Sequence, residues 1–156
     1  MASQMKLLLV STSGGHFSTM QGLKSFWHQH ERVWITDRKP DTEVLLENKE
    51  RVNWLPYQAP RDVIALLRNM PSVFRIIFSE KPDLVISTGA SLAVGFAFVA
   101  KLLGVRFIYI ESISRAQELS LSGKLVYPFC HEFYVQWPNL CNKYAKAQYR
   151  GIVYHS

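Results

Sequence analysis

The chain has 156 residues, 48% of them hydrophobic and 13% aromatic, which suits one domain with a real core and excludes a disordered or collagen-like chain. Its formal charge of +6 draws anions, whether nucleic acid, phosphate-bearing ligands or anionic lipid. No Lys/Arg-rich run or zinc-finger spacing supports nucleic acid, and the two cysteines, Cys130 and Cys141, lack the spacing of a metal site and are expected to be reduced thiols.

The first apolar run, "MKLLLVS" (5–11), predicts a strand covered on both faces. "MASQMKLLLV" is too short for a signal peptide, and no small-residue cleavage site follows it. "HFSTMQGLKSFWHQH" (16–30) predicts one helix with Phe17, Met20, Leu23 and Trp27 on one side. "ERVWITD" predicts a second strand, "DTEVLLENK" a short helix and "RVNWLP" a third strand. A helical region covers 61–80, and Pro71 is expected to kink it or split it in two, because its ring clashes with the preceding turn. "PDLVIST" predicts a fourth strand, "ASLAVGFAFVAKLLG" a helix ending at Gly104 and "VRFIYIES" a fifth strand. The longest apolar run, 92–100, has nine residues, where a membrane span needs about twenty. Beyond it the pattern weakens to "SLSGKLVYPF", a short strand "EFYVQW" and "PNLCNKYAKAQYRGIVY". This alternation predicts a single α/β domain over 1–156, a Rossmann-like doubly wound parallel sheet that binds ligands beyond the carboxyl ends of its strands.

Three strand ends carry chemistry. "STSGGH" puts Ser13, Gly14 and Gly15 before a helix that begins near His16, and "STGAS" puts Gly89 and Ser91 before another. Glycine turns that open onto helix N-termini can cradle the two phosphates of a diphosphate, or can merely allow tight packing. "IESISR" adds Glu111, Ser112, Ser114 and Arg115. An imidazole is the usual acceptor of a hydroxyl proton near neutrality, so His16 is a candidate base, with Glu111 as its rival. Asp37 mimics the ribose-binding acid of a dinucleotide site, although GxGxxG, GxxxxGK[ST] and GxSxG are all missing. In the helical region Arg61, Arg68 and Arg75 recur every seven residues, a spacing that drifts only ~20° per step. That stripe is either a solvated face or, with Ile64, Leu67, Phe74, Ile77 and Phe78, an interfacial helix set among lipid phosphates and acyl chains.

At "LLLVSTSGGHFSTM", "PDLVISTGASLAVGFAFVAKLLG", "IYIESISR" and "YAKAQYRGIVY" the chain resembles the PssD/CpsF-type polysaccharide biosynthesis proteins. These are bacterial relatives of the membrane-side subunit of the two-part N-acetylglucosaminyltransferase of asparagine-linked glycan assembly. The resemblance covers nearly the whole chain, and the order of its motifs is its specific part. It implies the N-terminal, acceptor-binding half of a GT-B glycosyltransferase, whose C-terminal, UDP-sugar-binding half is a separate small subunit. It further implies a polyprenyl-diphosphate-linked sugar as acceptor, with the diphosphate at Gly14, Gly15 and Gly89 and with His16 and Glu111 in the catalytic positions; Ser13, Ser91 and Arg115, at the same strand ends, are expected to join the diphosphate site. Tyr149, Ile152 and Tyr154 fall where members of the family meet their partner subunit. Membrane attachment would be peripheral, on the inner face of the plasma membrane, through Arg61, Arg68 and Arg75, and neither cofactor nor metal is expected. The rival expectations are a non-catalytic scaffold for the partner transferase and a free-standing nucleotide-binding enzyme that uses Asp37.

Overall fold

The structure, a computed structural model, describes residues 3–153. Seven strands, β1 (Lys6–Val10), β2 (Glu31–Thr36), β3 (Val52–Trp54), β4 (Leu84–Ser87), β5 (Arg106–Ile110), β6 (Glu132–Val135) and β7 (Ala147–Tyr149), form one sheet. Their order is β3-β2-β1-β4-β5-β6-β7, with every pairing parallel. The helices are α1 (Gly15–Gln21), α2 (Lys24–Trp27), α3 (Val44–Glu47), α4 (Val63–Glu80), α5 (Leu92–Leu103), α6 (Leu121–Val126) and α7 (Leu140–Lys143), with a 3-10 turn at Tyr127–Phe129.

The two-residue period of a strand explains why the central runs are apolar throughout. Leu7 and Leu9 point to one face, against Phe17, Met20 and Trp27. Leu8 and Val10 point to the other, against Ile76, Phe96 and Val126. Trp34 joins the first core, and its neighbours Val33 and Ile35 join the second. Burial of Cys130 pushes its thiol up to about 12, so it is an inert core residue.

Three sequence expectations change. The helix expected over 16–30 breaks at Gly22 and Leu23, giving α1 and α2. Of the two outcomes expected at Pro71 the split does not occur: α4 runs as one helix from an Asp62 cap whose side chain accepts from Ala65 N at 2.9 Å. Pro71 lies on the exposed side of that helix, where the carbonyl left without an N–H partner can be hydrated. A seventh strand, β7, pairs with β6; three residues of mixed polarity carry too little pattern to announce it. No described helix is long and apolar enough to cross a membrane.

Candidate functional site

β1 and β4 are adjacent, and from them the chain winds to opposite sides of the sheet. That reversal opens a crevice at their carboxyl ends. A cleft of about 730 Å³ lies there, lined by Ser13, Gly15, His16, Arg61, Ser91 and Arg115 among others.

His16 joins the two glycine turns. Its Nδ1 lies 3.0 Å from the Thr88 carbonyl oxygen, and Thr88 Oγ1 donates back to His16 O at 2.6 Å. A carbonyl only accepts, so the neutral ring that makes this bond carries its proton on Nδ1. Nε2 is left with its lone pair and no protein partner among the described residues. Gly89 makes room for the ring: a Cβ there would fall well inside contact distance of His16 Nδ1, and φ is +131°. The two turns therefore meet at one imidazole.

The main-chain nitrogens differ from expectation. Gly14 N–H is taken by Asp41 Oδ2 at 2.8 Å, Ser13 N–H by Asp37 Oδ1 at 2.7 Å, and Gly89 N–H by Ser87 Oγ at 3.2 Å. Those three amides are committed to shaping their own turns. The N–H groups of Gly15 and His16 in α1, and of Ala90, Ser91 and Leu92 at the start of α5, carry no protein acceptor among the described residues. Asp37 is buried, and its second oxygen accepts from Ser13 Oγ at 2.8 Å. It anchors the first turn and does not read a ribose.

Glu111 is also corrected. It is 1% exposed and does not line the cleft. Its carboxylate accepts from Ser112 N (3.0 Å), Ser120 N (2.9 Å) and Ser120 Oγ (2.9 Å), so its lone pairs are spent on the 112–120 loop and on the cap of α6. Burial, reinforced by the Glu111 charge, pushes the neighbouring Tyr109 hydroxyl well above its usual range. Gly123 must lack a side chain because a Cβ would strike Glu111 Oε2. Glu111 holds a loop; of the two candidate bases only His16 faces the cleft.

Arg61 is misplaced by the heptad argument. It precedes α4 with φ of 65° and lines the cleft, whereas Arg68 and Arg75 are exposed on the helix. Neither Arg61 nor Arg115 has a carboxylate partner among the described residues. Two guanidinium groups without a close ion-pair partner among the described residues thus line one cleft, together with the Asp62 carboxylate that caps α4. Val63, Leu66, Val94, Leu121 and Leu125 give the same cleft an apolar stretch of wall, beside polar residues that include Gln58 and Asp62. Sequence reasoning missed Thr88 and the place of Arg61; only the "ST" before Gly89 could have pointed to the first.

Of the expected partner residues, Tyr149 lies in β7 and packs on the core. Ile152 is 42% exposed and lines a second hollow of about 400 Å³ with Leu23, Ile110, Tyr134 and Arg150. Tyr154 lies outside the described residues. No group of side chains suited to a metal ion occurs among the described residues.

Residues 56–153 match the family described as "Oligosaccharide biosynthesis protein Alg14 like". The chain is 30% identical to UDP-N-acetylglucosamine transferase subunit ALG14 of Yarrowia lipolytica, over 97% of its own length and 82% of that protein. It is 35% identical to the human subunit of the same name, over 75% of this chain and 58% of that one. Among solved structures, MurG of Acinetobacter baumannii superposes with a TM-score of 0.70 at 17% identity, over 86% of this chain but 42% of MurG. The chain thus spans less than half of that neighbour, with which it shares a Rossmann-like α/β fold. By these matches, the chain belongs to the Alg14-like oligosaccharide biosynthesis family.

Proposed function

We propose that this chain is the acceptor-binding subunit of a two-component glycosyltransferase that extends a polyprenyl-diphosphate-linked sugar. The observation that carries the reading is His16, fixed by Thr88 with Nε2 free at a cleft bordered by two unpaired arginines. The diphosphate would lie against Arg61, Arg115, Ser91 and the open amides that begin α5. The apolar wall would take the first part of the lipid. Nε2 would accept the proton of the acceptor hydroxyl as its oxygen bonds to the donor's anomeric carbon and the bond to UDP breaks. Curated relatives carry the name UDP-N-acetylglucosamine transferase subunit, which supports a UDP-sugar held by a small partner in place of the missing GT-B half. The resemblance to PssD/CpsF-type proteins supports an exopolysaccharide or capsule setting, on the inner face of the plasma membrane.

Transfer to a synthetic polyprenyl-diphosphate sugar by the co-expressed pair tests the reading. His16→Ala is expected to lower kcat by about 10²–10⁴-fold while acceptor binding persists. An unchanged kcat removes the base from this chain and leaves a scaffold that recruits the partner.

A further inference from the structure

The 112–120 loop supplies Ser112, Ser114 and Arg115 to the cleft, yet it contains no helix or strand. Its backbone is held from outside, by the segment that follows β6. Gln136 Nε2 donates to Glu111 O at 3.1 Å, Trp137 Nε1 to Ile113 O at 2.5 Å and Asn139 Nδ2 to Ala116 O at 2.7 Å. Three donors within four consecutive positions capture three carbonyls of one short stretch. None of the three donor residues lines the cleft, so the proposed chemistry leaves them without a role.

Gln136 makes a second connection. It is buried, and its Oε1 accepts the N–H of Val153 at 2.8 Å. Val153 belongs to the tail beyond β7, which lines the second hollow with Arg150 and Ile152. A primary amide offers donor and acceptor on one rigid plane, so this one side chain ties the tail to the residue that opens the cleft loop. The Glu111 carboxylate then carries the tie onward to the amides of Ser112 and Ser120.

We propose that Gln136, Trp137 and Asn139 are positioning residues for the cleft loop, and that Gln136 couples a partner subunit seated on the tail to acceptor binding by that loop. The proposal rests on reading the cleft as the lipid-diphosphate site. A partner that fixes the tail fixes Val153 N–H and, through Gln136, the Glu111 carbonyl. Reciprocity then requires acceptor and partner to strengthen each other's binding by the same factor.

Amide hydrogen exchange on the chain alone, and steady-state kinetics on the pair, test it together. Asn139 is exposed, so Asn139→Ala leaves the core intact. It is expected to speed exchange over 112–118 roughly two- to tenfold, the worth of one neutral hydrogen bond, with β1 and β4 unchanged. In the pair it raises acceptor KM by a similar factor and leaves donor KM and partner affinity alone. Gln136→Leu has the same effects on the loop and also abolishes the mutual strengthening of acceptor and partner. Gln136→Glu still accepts from Val153 N–H but cannot donate to Glu111 O when ionised, so it loses the coupling while the tail stays protected. Unchanged loop exchange in both Asn139→Ala and Gln136→Leu overturns the proposal, as does an equal rise in acceptor and donor KM. A wild-type pair that transfers no sugar to the lipid diphosphate refutes the functional reading instead, and loop exchange still decides whether the clamp exists.

Discussion

At position 89 two independent constraints meet in one residue. The backbone is left-handed at φ +131°, and the space a Cβ would occupy is filled by the His16 ring. Gly89→Ala is therefore expected to cost about 1–3 kcal/mol of stability through backbone strain, seen as a fall of several degrees in Tm. It should also lower transfer by the pair more than that stability loss explains, because the ring must move off the Thr88 carbonyl to admit the methyl group. Thermal denaturation beside the transfer assay separates the two effects; full activity in the folded variant would show that the ring position is not needed. Glu111 and Asp37 illustrate the opposite case. Both look like chemistry in the sequence, since a carboxylate at a strand end is where acid–base groups are sought. Both instead spend their oxygens on neighbouring amides and hydroxyls, an outcome that depends on loop geometry and leaves no trace in residue spacing.

Helix α4 shows how an element can be read correctly and still be misassigned in part. Its outer side exposes Ile64 (70%), Leu67 (64%) and Phe78 (61%), with Arg68 and Arg75 beside them. An 18-residue helix with that much apolar area open to water fits an interface with lipid, the arginines placed at phosphate level. Each arginine near an anionic surface is worth about 1 kcal/mol. Replacing both Arg68 and Arg75 by glutamine should then weaken sedimentation with anionic vesicles by roughly 30-fold. Arg61→Gln should leave vesicle binding nearly unchanged, because that side chain belongs to the cleft. Equal binding by wild type and the double variant would return this face to ordinary solvated surface. The period that suggested three arginines in a row held for two; the third is lost because the helix starts only at Val63, after the Asp62 cap. Strands β1, β4 and β5 were legible because cover on both faces, complete for β4 and partial for β5, gives each a continuous apolar run. The break between α1 and α2 was not, since Leu23 and Trp27 continue the apolar spacing across it.

On the scale of the whole molecule, two hollows open at the carboxyl end of the sheet, one at β1 and β4 and the other at β5, β6 and β7. The cleft at β1 and β4 was legible from two glycine turns at the ends of apolar runs. The hollow at β5, β6 and β7 was not, because β7 and its tail acquire meaning only when paired with β6. On the proposed reading a small partner subunit completes the transferase, and the tail hollow offers it exposed Ile152 and Arg150. Tyr149 is the wrong residue with which to test that surface, since it packs on the core and its loss would unsettle the domain. Ile152→Asp is the right one. At 42% exposure the substitution should change the stability of the chain alone by no more than about 0.5 kcal/mol. In the complex the same carboxylate would be taken out of water, at a cost of about several kcal/mol that Arg150 in the same hollow offsets only in part, and partner affinity should weaken by at least roughly tenfold. Titration of the purified small subunit against wild type and variant measures this directly. A variant that binds the small subunit as tightly as wild type would mean that the proposed partner docks elsewhere, and that the tail hollow serves only to hold Gln136 in place.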